Sequence, residues 1–75
     1  MNVRLKAARE TSGKTQLEVA KETGIKEVSY QRYEYGERVP NAIIISRIAK
    51  VLNTTVEALY GESTKALDGN QVKSK

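Results

Sequence analysis

The 75-residue sequence contains no cysteine, no histidine, no tryptophan and no phenylalanine. Without cysteine there is no disulfide, thiolate nucleophile or thiolate metal site. Without histidine there is no zinc finger and no imidazole acid–base chemistry. A chain this short has no staple, so its stability must come from one compact apolar core or from association with another chain. Long apolar runs are also missing. The densest, Ile43-Ile44-Ile45, is interrupted by Ser46 and Arg47, far short of the roughly 20 residues that span a bilayer. The N-terminal stretch MNVRLKAARE has no apolar segment of the secretory kind, so a cytoplasmic location without a membrane partner is expected. No nucleophile–base pair and no metal cluster can be assembled from these residues. An enzyme is therefore not expected, nor a cofactor or a small-molecule ligand.

Charge is present in modest excess: 13 basic against 9 acidic residues give +4 and a pI of about 9.5. That balance suits a polyanion partner without requiring one, so the placement of the charges has to decide.

The chain is organised around Thr15 to Gly36, TQLEVAKETGIKEVSYQRYEYG. Read at a period of 3.6, this stretch gives two short amphipathic helices separated by a glycine turn, the pattern of a helix-turn-helix. Thr15-Gln16-Leu17-Glu18 forms a capping box that opens the first of the pair. Leu17, Ala20 and Lys21 follow its period, Val19 and Thr23 flank them, and Gly24 stops it. The second should span Lys26 to Tyr35, with Ile25, Tyr30 and Tyr33 inward. It lacks a Ser, Thr, Asp or Asn cap, because Lys26 holds that place. Gly36 ends it.

The rest supports that pair. Asn2 is expected to cap a first helix from Val3 to Ser12, with Leu5, Ala8 and Ser12 on one face and Gly13 closing it. After the loop Glu37-Arg38-Val39-Pro40, Asn41 caps a fourth helix running to Leu52. Its inward stripe should be Ala42, Ile45, Ile48, Ala49 and Leu52. Thr55 caps a last turn with Val56, Leu59 and Tyr60 on its apolar side. Residues 1–61 therefore read as one all-α domain of five helices. Residues 62–75 read as a polar tail too poor in apolar side chains to offset its ordering entropy.

The ordered set Arg4-Leu5-Lys6, Arg9-Glu10, Thr15-Gln16, Ala20, Gly24-Ile25, Arg32-Tyr33-Glu34, Gly36, Pro40, Ile48-Ala49-Lys50 and Leu52-Asn53 resembles the lambda-repressor/Cro-like, or XRE-type, helix-turn-helix family. The resemblance covers about three quarters of the chain. It implies a compact five-helix DNA-binding domain, usually a two-fold dimer on a palindromic operator in double-stranded DNA. Helix three would enter the major groove and helix two would lie across the backbone, its N-terminus on a phosphate. A capped helix N-terminus suits an anion on physical grounds too.

On that resemblance Gln16 faces a phosphate, against the alternative of an ordinary solvated helix-start glutamine. Lys26, Glu27 and Val28 form the first turn of the recognition helix. Lys26 suits phosphate or guanine, Glu27 a cytosine amino group, and Val28 a thymine methyl. Glu27 serves equally as a complement to the helix dipole. Ser29 is a phosphate contact or a solvated serine. Arg32 suits bidentate pairing with guanine, against an arginine paired with a nearby glutamate, and Gln31 flanks the same face. Arg9 and Glu34 correspond to a structural ion pair joining helices one and three.

Two tyrosines depart from the family pattern. Tyr30 stands where an aliphatic residue is usual, and its hydroxyl must find a partner. Tyr35 replaces a common asparagine; it either donates to a phosphate or covers the loop. Arg38 and Asn41 look like a second phosphate clamp, with Asn41 also the cap. Surplus apolar residues at Ile43, Ile44, Val51 and Tyr60 either complete the core or form a dimer contact; Ile44, Val51, Val56 and Tyr60 are the candidates for that contact. The biological role stays open between a repressor, an antitoxin and a restriction–modification controller. A protein-interaction module that has lost DNA remains the rival from another class.

Overall fold

The computed structural model describes residues 1–61; the tail expected at 62–75 lies outside them. The helices are α1 (Val3–Thr11), α2 (Gln16–Thr23), α3 (Glu27–Tyr35) and α4 (Ala42–Val51), followed by a fifth helix, α5, over residues 56–61. No strand occurs among the described residues. α2 packs against both α3 and α4, and α3 also packs against α1. The helix-turn-helix pair is therefore backed on two sides.

All the helices but α3 start where the sequence supplies an acceptor. Asn2 Oδ1 accepts the Leu5 amide at 3.0 Å, Asn41 Oδ1 the Ile44 amide at 2.9 Å, and Thr55 Oγ1 the Ala58 amide at 3.1 Å. The capping box of α2 is reciprocal: Glu18 N–H donates to Thr15 Oγ1 at 3.1 Å and Thr15 N–H to Glu18 Oε1 at 2.8 Å. α3 alone among these starts without help, since the Lys26 side chain makes no capping bond.

The turn between α2 and α3 depends on Gly24. At φ +87° it is left-handed, which lets the Ile25 amide fold back onto the Ala20 carbonyl at 3.0 Å. Gly36 repeats the device after α3 at φ +80°, with the Glu37 amide on the Arg32 carbonyl at 2.9 Å.

Leu5, Val19, Ala20, Tyr30, Ile48, Ala49, Leu52 and Leu59 form the core. Complete burial of each large member stabilises the fold by about 1.5–3 kcal/mol. Ala20 is 1% exposed where α2 meets its neighbours, and a larger side chain there would hold the helices apart.

Four details differ from the expected pattern. Leu17 is turned outward at 43% exposure, and Val19, Ala20 and Thr23 make the buried face of α2. The partners of α2 lie on the side away from Leu17, which helical period alone does not reveal. Ser12 is exposed; it caps α1 and returns its hydroxyl to the Ala8 carbonyl at 3.0 Å. Ala42 is exposed instead of inward. Ile44 and Val51, expected as surplus, pack against the core with Ile25, Tyr33, Val56 and Tyr60. α4 is thus rotated about its axis relative to the stripe drawn from Ala42 and Ile45.

Candidate nucleic-acid interface

The Gly24 turn brings the first residue of α2 beside the outer side of α3. Gln16 Nε2 donates to Glu34 Oε1 at 3.0 Å, and Gln31 Nε2 donates to Gln16 Oε1 at 3.3 Å. Glu34 is in turn gripped by Arg9: Nε reaches Oε2 at 2.6 Å and a terminal nitrogen reaches Oε1 at 3.2 Å. The other terminal nitrogen donates to the Lys14 carbonyl at 3.0 Å, which ties in the loop before α2. One buried carboxylate therefore links α1, the α1–α2 loop, the start of α2 and the end of α3.

The electrostatics agree with that geometry. Burial pushes the Glu34 carboxyl up, but Arg9, Tyr30 and Gln16 more than offset this and hold it below the usual carboxylate range. Its bond to Glu34 raises Arg9 above its ordinary value. Tyr30 is 0% exposed and its hydroxyl faces this carboxylate without reaching hydrogen-bonding geometry with any partner. Burial drives that phenol far above its normal range, and burial likewise pushes Tyr60 up to about 12. The need for a hydroxyl partner, foreseen for Tyr30, is thus unmet by any group in good geometry.

Outside this network, α3 presents a face with no core duty. Lys26, Glu27, Val28 and Arg32 are exposed, Val28 at 50%, while Ser29 and Gln31 are half-buried along one edge. Val28 is an apolar side chain on a polar surface, and Lys26 sits at the unsatisfied amides of the uncapped start. Tyr35 is 48% exposed at the far end of α3, next to the Gly36 turn. Arg38 and Asn41 are exposed on the following loop and cap. Asn41 has its side-chain oxygen committed to the Ile44 amide, leaving its amide nitrogen outward.

An open cleft of about 410 Å³ lies behind this loop, between the start of α1 and α5. Arg38, Tyr33 and Tyr60 contribute to its walls. The four dimer-contact candidates sit elsewhere than expected for free surface: Ile44, Val51, Val56 and Tyr60 are partly buried against their own core. The apolar residues left most open nearby are Val39 at 71% and Ile43 at 64%. Among the described residues no cluster of acidic side chains could hold a metal ion, and no helix is long and apolar enough to cross a membrane.

Sequence reading missed the chain of bonds from Glu34 through Gln16 to Gln31. The only available signal was the recurrence of long amides at 16 and 31 beside Arg9 and Glu34. Spacing within one helix cannot show that two different helices place them together.

The sequence matches the model of a helix-turn-helix family over residues 5–59. It is 38% identical over 68 residues to the cryptic phage CTXphi transcriptional repressor RstR of Vibrio cholerae serotype O1. That alignment covers 91% of this chain and 59% of the relative, so the chain spans less than two thirds of that protein's length. No solved structure matches the chain.

Proposed function

Because the chain belongs to the helix-turn-helix family, we propose that it is a sequence-specific DNA-binding transcriptional repressor that reads its operator with α3. The observation that carries this reading is the outer face of α3. Glu27, Val28 and Arg32 are exposed there and take no part in the core, and Gln31 of the same helix is hydrogen-bonded to Gln16 at the capped start of α2. Inserted in a major groove, Arg32 suits a guanine, Val28 a thymine methyl, and Glu27 a cytosine amino group, with Lys26 at the groove edge. Tyr35, Arg38, Ser29 and the outward amide of Asn41 contribute contacts to phosphates, which set affinity and its salt dependence. The similarity to a phage transcriptional repressor supports repression as the output. Such a protein works in the cytoplasm and carries out no chemistry on its DNA.

The proposal includes a two-fold dimer on a palindromic operator, with half-sites about 34 Å apart. The open surface at Ile43 and Val39 supports self-association better than Ile44, Val51, Val56 and Tyr60, which already serve the core. Selection of bound duplexes from a random pool tests the whole reading. A recovered palindrome of two half-sites is the expected result. Recovery of no sequence above background, together with no gel retention at low salt, removes the DNA reading. A single unrepeated half-site removes the dimer alone.

A further inference from the structure

The cleft between the start of α1, the α3–α4 loop and α5 has a chemistry that neither the core nor the DNA-reading face explains. Its volume of about 410 Å³ lies within the roughly 300–1,000 Å³ of small-molecule sites. Arg4 and Arg38 supply the charged side chains of its walls, and no acidic side chain lines it. Arg4 extends over Gly61 at the end of α5. Among the described residues neither guanidinium has an ion-pair partner, whereas Arg9 is held by Glu34. The rest of the lining is mainly apolar: Leu59 and Tyr33 contribute, and Val3 and Val39 stand open at 66% and 71% exposure.

An unpaired guanidinium is a fork that fits a carboxylate, and exposed apolar side chains gain from a group that covers them. A neutral apolar ligand would leave both cations unmatched, and an inorganic anion would leave the valines bare. A second copy meeting this cleft through its own would set like charges face to face. The residues taken in chain order give no sign of such a site, because its walls come from segments as far apart as Val3 and Tyr60.

We propose that this cleft binds a small amphipathic carboxylate, an apolar body ending in one carboxylate group, and that its binding weakens the hold on DNA. The carboxylate pairs with the guanidiniums while the body covers Val3 and Val39. Arg38 is the link to DNA: engaged by the ligand, it no longer neutralises a phosphate. The loss therefore falls on affinity for all sequences alike, with base preference unchanged. This consequence rests on the DNA-binding reading above; the ligand site itself does not.

The probe is hydrocinnamate, with hydrocinnamamide as its neutral counterpart, titrated into isotope-labelled protein and followed by NMR. The backbone amides of Val3, Arg4, Arg38 and Val39 should shift with saturation, and the neutral probe should bind roughly tenfold more weakly or worse. Arg4→Gln, a substitution at an exposed position, should weaken hydrocinnamate binding by about the same factor while DNA retention stays as in the wild type. In gel shifts on the selected duplex, hydrocinnamate should reduce retention more than acetate at equal ionic strength, and less so with Arg4→Gln. The proposal is overturned if acid and amide bind alike, if the shifts fall outside the cleft, or if nothing shifts at millimolar probe. It is equally overturned if raising protein concentration alone produces the same shifts, which would seat a second copy there. A wild-type protein that retains no DNA fails the functional reading separately, and the NMR titration still decides the ligand site.

Discussion

Removing the Arg9 guanidinium should leave a bare charge inside the protein, and its cost can be worked from the geometry. The Glu34 side chain is 1% exposed and that of Arg9 14%. Arg9→Met keeps most of the stem's bulk but deletes two bonds to the carboxylate and one to the Lys14 carbonyl. Gln16 remains as the one hydrogen-bond donor to Glu34. Stranding a buried partner in this way costs about 3–5 kcal/mol, and the surviving Gln16 bond places the expectation near 3 kcal/mol. Small domains are stable by only about 5–15 kcal/mol, so the loss is a large share.

The pH dependence identifies the cause. In the wild-type protein the Glu34 carboxyl lies below its ordinary value. A lowered folded pKa contributes stability that is present above the unfolded value, about 4.3, and is lost as pH falls through the folded one. In the variant burial acts with far less opposition, the folded pKa rises, and acid now favours the folded state. The gap between the two proteins should therefore be widest near pH 7 and narrow towards about pH 4. Urea titrations followed by circular dichroism at both pH values measure it. Should Arg9→Met unfold outright at neutral pH, Arg9→Met/Glu34→Gln removes the charge and should recover most of the loss. A cost below about 1 kcal/mol at both pH values, the range of an exposed ion pair, would refute the reasoning.

Four other outcomes are expected. Tyr30→Phe keeps the buried ring and removes a hydroxyl that has no well-placed partner, so urea stability should change by less than about 1 kcal/mol at neutral pH. Since burial raises both Tyr30 and Tyr60, their contribution is intact below the unfolded value of about 10 and is lost as pH rises beyond it; Tyr30→Phe/Tyr60→Phe should flatten that alkaline loss. Gly36→Ala puts a Cβ 3.1 Å from the Met1 nitrogen at a φ of +80°, which should cost about 1–2 kcal/mol and lower the melting temperature; an unchanged melt contradicts this. Asn41→Ala should lose about 1 kcal/mol of stability with its cap, whereas Asn41→Ser should restore stability but not operator affinity if the outward amide meets a phosphate.

The sequence carried most of the architecture because its signals are local. Capping at Asn2, Thr15, Asn41 and Thr55 needs only an acceptor and an amide three residues on. Reversal at Gly24 and Gly36 needs only a residue that tolerates positive φ. The family resemblance rests on these same positions, and the family match over residues 5–59 agrees with it. What failed was helix rotation. Leu17 and Ala42 look inward by period but lie outside, while Ile44 and Val51 look surplus but pack inside. In a helix of eight to ten residues several apolar stripes fit the period equally well, and only the neighbouring helices choose among them.

The α2–Gly24–α3 pair that organises the chain was therefore determined by the sequence alone: its capping box, its left-handed turn, its uncapped second start and the residue types on its outer face. The tertiary structure decided which of those residues are free to act. Gln16 reads as a solitary helix-start amide along the chain, yet it is hydrogen-bonded to both Glu34 and Gln31. The physical reason is that hydrogen bonds between helices depend on relative placement of segments 15 and 18 residues apart. That placement is fixed by core packing and by one buried ion pair, not by any local preference of the backbone.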